Sequence, residues 1–149
     1  MLARGAMTLM DGLRFEERLY DDGRRVETDA VPYVNGRSLI ELAAECERSA
    51  AAAEGATNLA GDYRGLAAKD VFSPSLHFFG QPKAWRNGVP LLRCVCGEVG
   101  CWPLCADVIV GPEVVVWDAF RQPHRPQWSY EGLGPFEFNR VDYDAALRR

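Results

Sequence analysis

The sequence predicts an α+β fold in which residues 1–149 form a single domain. We expect an N-terminal β-hairpin, one main helix packed on the sheet, an antiparallel β-meander and a short C-terminal helix. Two patterns favour this architecture: strand-like runs separated by Gly-containing turns, and one long stretch in which apolar residues recur at helical spacing. The length of 149 residues supports one core, because domains commonly contain roughly 100–150 residues.

The first predicted element is a hairpin near the N-terminus. Residues 13–20 alternate imperfectly between apolar and polar side chains, and residues 24–34 form a second strand-like run. Between them lie Asp21, Asp22 and Gly23, a strong turn signal because Asp-Gly pairs favour the tight turns of hairpins. The two runs are therefore predicted to pair antiparallel.

The main helix is predicted to begin after Ser38. Ser38 and Glu41 have the spacing of a capping box, in which the serine side chain accepts a hydrogen bond from a backbone N–H of the first turn. Gly55 is a natural stop for this helix. Its apolar side chains recur at helical spacing, namely those of Leu39, Leu42, Ala43 and Cys46. We therefore expect Cys46 to be a small core residue rather than a functional thiol.

Residues 56–89 carry weaker signals and are predicted to form a long irregular connection. Glycines and prolines interrupt it, leaving at most one helical turn in residues 59–66 and a buried anchor or short strand at residues 76–79. Because long loops often take part in binding, this segment is a candidate lid. His77 lies within the apolar run, where a lone histidine is more often a hydrogen-bonded core residue than a ligand.

The second half of the chain predicts a three-stranded antiparallel meander. Its strands are expected at residues 89–96, 101–110 and 114–120, with turns at residues 97–100 and 111–113. The β-branched run VIVGPEVVVW at residues 108–117 supports the last two strands, because β-branched residues favour a pleated surface.

A loop rich in proline and aromatic residues follows the meander and leads into the predicted C-terminal helix. Asn139 and Asp142 form its N-terminal cap, and Tyr143 and Leu147 form an apolar pair four residues apart. We expect the loop to wrap the sheet.

The charge balance argues against a nucleic-acid-binding protein. The chain has 17 basic and 21 acidic residues, a net charge of −4, whereas such domains are normally basic. No apolar run approaches the roughly 20 residues of a membrane span, and the N-terminal stretch is too short and interrupted for a signal peptide. We therefore expect a cytoplasmic protein without a nucleic-acid or membrane partner. A reducing cytosol disfavours stable disulfides and leaves clustered cysteines to bind metal, react or remain free.

Four of the five cysteines cluster in residues 91–105, LLRCVCGEVGCWPLC. Cys94 and Cys96 would share one face of a strand, and Cys101 lies across the predicted turn, so three thiolates are expected to converge. Zinc would need a fourth ligand, either Cys105 or His124. Cys105 would be about 13 Å from Cys101 on an extended strand, which leaves His124 as the better candidate. The predicted zinc site is therefore Cys94, Cys96, Cys101 and His124.

Two alternatives to a metal site stay open for these cysteines. Cys96 and Cys101, or Cys94 and Cys96, form a redox pair in the first alternative, although neither pair has the CxxC spacing of the common oxidoreductases. In the second, the glycines permit a tight turn and the cysteines pack as small apolar side chains.

The aromatic loop supplies a candidate surface for a protein partner. Aromatic and arginine side chains are enriched at interface hot spots, and four of them lie close together in sequence: Trp117, Arg125, Trp128 and Tyr130. The alternative is that the aromatic rings clamp the loop onto the fold. The common nucleotide-binding, hydrolase and zinc-protease motifs are absent, and no catalytic residue is assigned.

Several runs resemble a family of small uncharacterised bacterial proteins. The most specific are CGEVGCWPL at residues 96–104 and the stretch at residues 122–147 that contains GLGPF; VNGRSLIEL and LAGDYRGL upstream agree with it. The resemblance spans most of the chain. It implies a shared fold and a bacterial origin, and it attaches no role to any residue.

The function expected from the sequence is that of a non-catalytic binding or interaction module with a cysteine-bearing β-turn. The alternative is a small thiol-dependent redox enzyme or sensor that uses Cys96 and Cys101. The first predicts bound zinc or none and no turnover, whereas the second predicts a reactive thiol.

Overall fold

The protein is an α+β structure built on an eight-stranded antiparallel sheet that is nearly closed into a barrel. A computed structural model describes residues 9–72, 77–80 and 87–148. The strands are β1 Leu13–Asp21, β2 Val26–Val34, β3 Arg37–Ser38, β4 Tyr63–Ala67, β5 Val89–Cys94, β6 Leu104–Val110, β7 Val114–Arg121 and β8 Phe136–Asn139. They pair in the order β1-β2-β4-β5-β6-β7-β8, with β3 added to β2. A bridge between Asp11 and Phe138 connects the two ends of the sheet.

The described part of the chain contains three α-helices, which lie around the sheet: α1 Leu39–Ala53, α2 Ala68–Phe72 and α3 Arg140–Ala146. Short 3₁₀ helices occupy Thr57–Leu59 and His77–Phe79. None of the helices in the described ranges is long and apolar enough to cross a membrane.

The helix ends follow the local signals of the sequence. The Glu41 N–H donates to Ser38 Oγ at 3.0 Å, which confirms the predicted cap of α1. Gly55 has φ +73° just after the end of α1, a left-handed conformation that favours glycine. The Asp142 N–H donates to Asn139 Oδ1 at 3.1 Å and confirms the cap of α3.

The prediction of an irregular connection over residues 56–89 is wrong in its first part. The stretch predicted to hold a helical turn, residues 59–66, overlaps most of strand β4, and α2 follows β4 directly. β4 is short and carries Arg64 and Gly65 rather than an alternating pattern, yet it pairs with β2 on one side and β5 on the other. Of the predicted anchor at 76–79, Phe78 is fully buried, whereas Leu76 lies outside the described residues.

Aromatic side chains form much of the core. Trp117, Phe138 and Tyr143 are at most 1% exposed, and the rings of Trp117 and Phe138 meet edge to face with centroids 4.8 Å apart. The Trp117 indole N–H donates to the Tyr143 hydroxyl at 3.0 Å, and this hydroxyl donates in turn to the Phe78 carbonyl. The polar groups of this cluster are therefore satisfied inside the core.

Four charged side chains are packed together where β2, β4 and β5 meet, and we call Glu27, Asp29, Arg64 and Arg93 the ion network. The two oxygens of Asp29 accept from Arg64 Nε and Nη2 at 2.7 and 2.8 Å, and Oδ1 also accepts from Arg93 Nη2 at 2.8 Å. Glu27 Oε1 lies 2.8 and 3.0 Å from the same two Nη2 atoms. The side chain of Asp29 is 3% exposed, so its charge depends on these partners.

A second buried network joins α1 to the sheet and to the aromatic loop. Glu47, on α1, is 1% exposed and accepts hydrogen bonds from the Tyr63 and Tyr130 hydroxyls and, at 2.8 Å, from the Gly61 N–H. Gln122 Nε2 donates to the Tyr63 hydroxyl at 3.1 Å and to the Pro103 carbonyl at 2.9 Å. Burial raises the pKa of Glu47, while its three donors act in the opposite direction.

Glu47→Gln tests the effect of this buried carboxyl on stability. Because the folded-state pKa of Glu47 lies above the ordinary value of 4.5, the folded protein holds this proton more tightly than the unfolded chain. Ionisation of Glu47 therefore lowers the free energy of unfolding of the native protein as the pH rises above 4.5. The Gln variant does not ionise, so its stability relative to the native protein should increase with pH. Denaturant unfolding of both proteins from mildly acidic to neutral pH measures the difference, and a constant difference would contradict the prediction.

Candidate metal centre

The loop that joins β5 to β6, residues 95–103, carries the centre, and we call it the cysteine loop. It begins with a tight turn in which the Gly97 N–H donates to the Cys94 carbonyl at 2.9 Å. Gly97 has φ +96°, which a side chain would disfavour. The sequence placed Cys96 and Cys101 on strands, but β5 ends at Cys94 and β6 begins only at Leu104. The turn is therefore longer than predicted, and both cysteines lie within the loop.

Cys94, Cys96 and Cys101, the cysteine cluster, place their sulfur atoms within 4.8 Å of one another. Cys94 is half-buried at the end of β5, whereas Cys96 and Cys101 are exposed. The Cys96 N–H points at Cys94 Sγ, 3.4 Å away. The predicted convergence of three thiols is thus confirmed, although the fold of the loop rather than strand alternation brings them together.

Neither predicted fourth ligand joins the cysteine cluster. Cys105 is 2% exposed, lies on β6 and pairs in register with Pro90 and Arg121 on the neighbouring strands. His124 Nε2 is 3.1 Å from the Gly100 carbonyl, and the imidazole stacks on the ring of Trp102 with an interplanar angle of 7°. Within the described residues, the group of side chains close enough to share a metal ion contains the three cysteines alone.

The surroundings separate the cysteines in acidity. Burial raises the pKa of Cys94 to about 11 and that of Cys105 to about 12. The pKa of Cys96 is lowered, chiefly because the Glu98 backbone N–H bonds to its sulfur. A metal cation would favour the thiolate forms by its own charge.

Arg93 anchors the cysteine loop to the interior of the fold. Its Nη1 donates to the Gly97 carbonyl and its Nε to the Gly65 carbonyl, both at 2.9 Å. Its Nη2 belongs to the ion network, where it contacts Asp29 and Glu27. A buried guanidinium thus fixes the turn that carries Cys94 and Cys96.

The four residues predicted to form a partner surface are distributed over internal contacts. Trp117 is fully buried in the core, and Tyr130 is 8% exposed and donates to Glu47. The Trp128 indole N–H donates to Glu54 Oε2 at 2.8 Å, and Arg125 Nε lies 3.0 Å from Glu54 Oε1. These contacts favour the alternative in which the aromatic residues hold the loop on α1 and the core.

Sequence reasoning missed Glu47, Glu54 and the ion network. Glu54 lies at the end of the predicted main helix, where nothing local distinguishes it from the other acidic residues. The partners of Glu47 and Glu54 are 14 to 83 residues away in the chain. For Glu47 the sequence does contain a signal: it lies four residues after Ala43 and eight after Leu39, which places a glutamate on the predicted apolar face of the helix.

The exposure of the thiols predicts the order in which they react. In reduced, metal-free protein, Cys96 and Cys101 should react rapidly with a disulfide reagent, since both are exposed. Cys105 should react only on unfolding, because it is buried and its pKa is raised to about 12. Cys105→Ala should therefore remove one of the five thiols that react in the unfolded protein and leave the rapid phase of the folded protein unchanged. A loss of amplitude from the rapid phase in this variant would contradict the placement of Cys105.

Comparison with family models, with curated proteins and with solved structures gave no match for this chain. The resemblance to the bacterial family with the CGExGCWP run therefore stays a prediction. The function has to be inferred from the geometry of the cysteine loop.

Proposed function

We propose that this protein is a non-catalytic binding module whose cysteine cluster holds one zinc ion. The observation that supports it is the approach of three sulfur atoms to within 4.8 Å of one another. With Zn–S bonds of about 2.3 Å at tetrahedral angles, bound sulfurs lie about 3.8 Å apart, so small adjustments of the side chains bring the three into position. Thiolate donors favour zinc and other soft cations over calcium or magnesium.

Three protein ligands leave one position of a tetrahedral zinc ion to another donor. Structural zinc sites are usually closed by four protein ligands, whereas open sites keep a position for water or a bound molecule. Because Cys96 and Cys101 are exposed, the fourth position would face solvent. A donor group of a binding partner would complete the coordination. The zinc ion would then take part directly in the interaction with that partner.

The second candidate function is a thiol redox switch that uses Cys96 and Cys101. It is supported by the exposure of both thiols and the proximity of their sulfur atoms. Two-electron oxidation would join the two sulfurs: a peroxide would take up the two electrons and two protons and be reduced to water, or a disulfide would take them up and become two thiols. The loop would have to bring the sulfurs from a non-bonded separation to about 2.05 Å.

Metal analysis of cysteine variants tests the first proposal. The native protein, purified without chelator, should contain about one zinc ion per chain. Cys94→Ser, Cys96→Ser and Cys101→Ser should each weaken zinc binding by at least about 100-fold in competition with a chelator, because loss of a ligand exceeds the 10- to 100-fold effect of losing a residue that only hydrogen-bonds to a ligand. Cys46→Ser is the matched control: it removes a thiol that packs against the core from α1 and should bind zinc like the native protein.

Absence of metal from the native protein, including after incubation with excess zinc and reductant, would contradict the metal proposal. The redox candidate then predicts a Cys96–Cys101 disulfide after mild peroxide treatment, detectable by peptide mass spectrometry. Oxidation of these two cysteines to separate acids, without a disulfide, would argue against that candidate as well.

A further inference from the structure

Gly97 in the cysteine loop lies between two guanidinium groups. A Cβ atom placed on Gly97 would be 3.6 Å from Arg64 Nη1 and 3.7 Å from Arg25 Nη2. Among the described residues, apart from the chain neighbours of Gly97, no other heavy atom comes within 4 Å of this position. The absent side chain therefore leaves an open space that two arginines line.

The two arginines differ in how their charge is compensated. Arg64 is 6% exposed and uses Nε and Nη2 to bind Asp29 and Glu27, so the Nη1 edge is the one turned to Gly97. Arg25 is exposed, is the last residue of the turn between β1 and β2, and forms no salt bridge within the described ranges.

Net charge does not decide what this space binds, because Arg25 and the carboxylates of Asp22 and Glu98 all lie outside the balanced ion network; the guanidinium donors that are unpaired among the described residues do. The ion network balances two arginines against two carboxylates, so Arg25 adds a positive charge that the network does not neutralise. Two acidic side chains lie near by. The Asp22 carboxylate accepts hydrogen bonds from the backbone N–H groups of Arg24 and Arg25, and Glu98 follows Gly97 in the exposed loop.

We infer that Arg25 and Arg64 form a binding site for an oxyanion, a carboxylate or phosphate group, beside Gly97. Guanidinium groups bind such anions through charge-assisted hydrogen bonds, and a group with two or more oxygen atoms can accept from both arginines at once. Arg64 is held in position by Asp29 and by the Tyr20 ring, which lies 3.7 Å from its central carbon. Arg64 is therefore fixed before an anion binds, whereas the exposed Arg25 adds the second guanidinium group from the turn between β1 and β2.

The inferred site is independent of the metal and extends the proposed binding function. Gly97 follows Cys96 directly, so a bound anion would lie next to the cysteine cluster. A partner molecule with an acidic group could contact both features, but the anion site needs no zinc.

Anion titration of metal-free, reduced protein tests this inference. Inorganic phosphate and acetate are titrated separately at constant ionic strength, and binding is followed by calorimetry and by the NMR signals of the arginine Nε–H groups. The native protein should bind at least one of the two anions saturably, and comparison of the two titrations tells phosphate from carboxylate recognition. Arg25→Gln should weaken this binding roughly tenfold, the effect of losing one charge-assisted hydrogen bond.

Arg24→Gln is the matched control. Arg24 precedes Arg25 in the same exposed turn, so its replacement removes the same charge without touching the Gly97 space. It should bind the anion like the native protein. Equal weakening of anion binding in both variants would show that only the overall charge of the hairpin matters, and it would overturn the site. Phosphate and acetate titrations that do not differ from a chloride titration would overturn it as well. Because zinc is absent throughout, neither result bears on the metal proposal.

Discussion

The buried carboxylate of Asp29 is the constraint on which the arrangement of β2, β4 and β5 depends. Moving a carboxylate out of water costs several kcal/mol, and only well-placed partners offset that cost. Asp29 has two such partners, Arg64 from β4 and Arg93 from β5. β2 and β4 share only two register pairs, Asp29 with Ala67 and Ala30 with Leu66. The ion network thus connects strands at a place where few backbone hydrogen bonds do so.

The same network extends into the cysteine loop. Arg93 has donors left after it binds the two carboxylates, and one of them holds the Gly97 carbonyl. The far end of the loop is held separately, since the Pro103 carbonyl accepts from Gln122, which also contacts Tyr63 beside Glu47. Both ends of an exposed loop are therefore tied to buried polar groups. Ligands carried by such a supported loop need less reordering when they bind a metal, which favours affinity.

The parts of the fold that the sequence predicts well are those encoded by neighbouring residues. The side chains of Ser38 and Asn139 cap helices because each accepts a hydrogen bond from the backbone N–H three residues later in the chain. The convergence of the cysteine cluster follows from close spacing in the same way. β4 escaped prediction because its side chains are ordered by distant partners: Arg64 binds Asp29 35 residues away.

The fourth zinc ligand shows the same limit at the site. His124 is near the cysteine loop, as the prediction required, but it bonds to the Gly100 carbonyl and stacks on Trp102 instead of turning to the sulfurs. Spacing in sequence predicts which residues come near one another, whereas competing hydrogen-bond and ring partners decide the direction of a side chain. The same holds for the aromatic loop, where Trp128 and Arg125 donate hydrogen bonds to Glu54 and are thereby turned toward α1.

The placement of the cysteine cluster bears on what a bound metal would do for this protein. In small zinc domains the ion replaces a core that is too small to fold alone, and the site is closed by four ligands. Here Trp117, Phe138 and Tyr143 already form a core, and two polar networks connect the strands and α1. Cys96 and Cys101 are exposed at the edge of that structure, and with the half-buried Cys94 they offer three ligands. A metal in this position would therefore be available for exchange and for contact with other molecules, with little part in holding the barrel together.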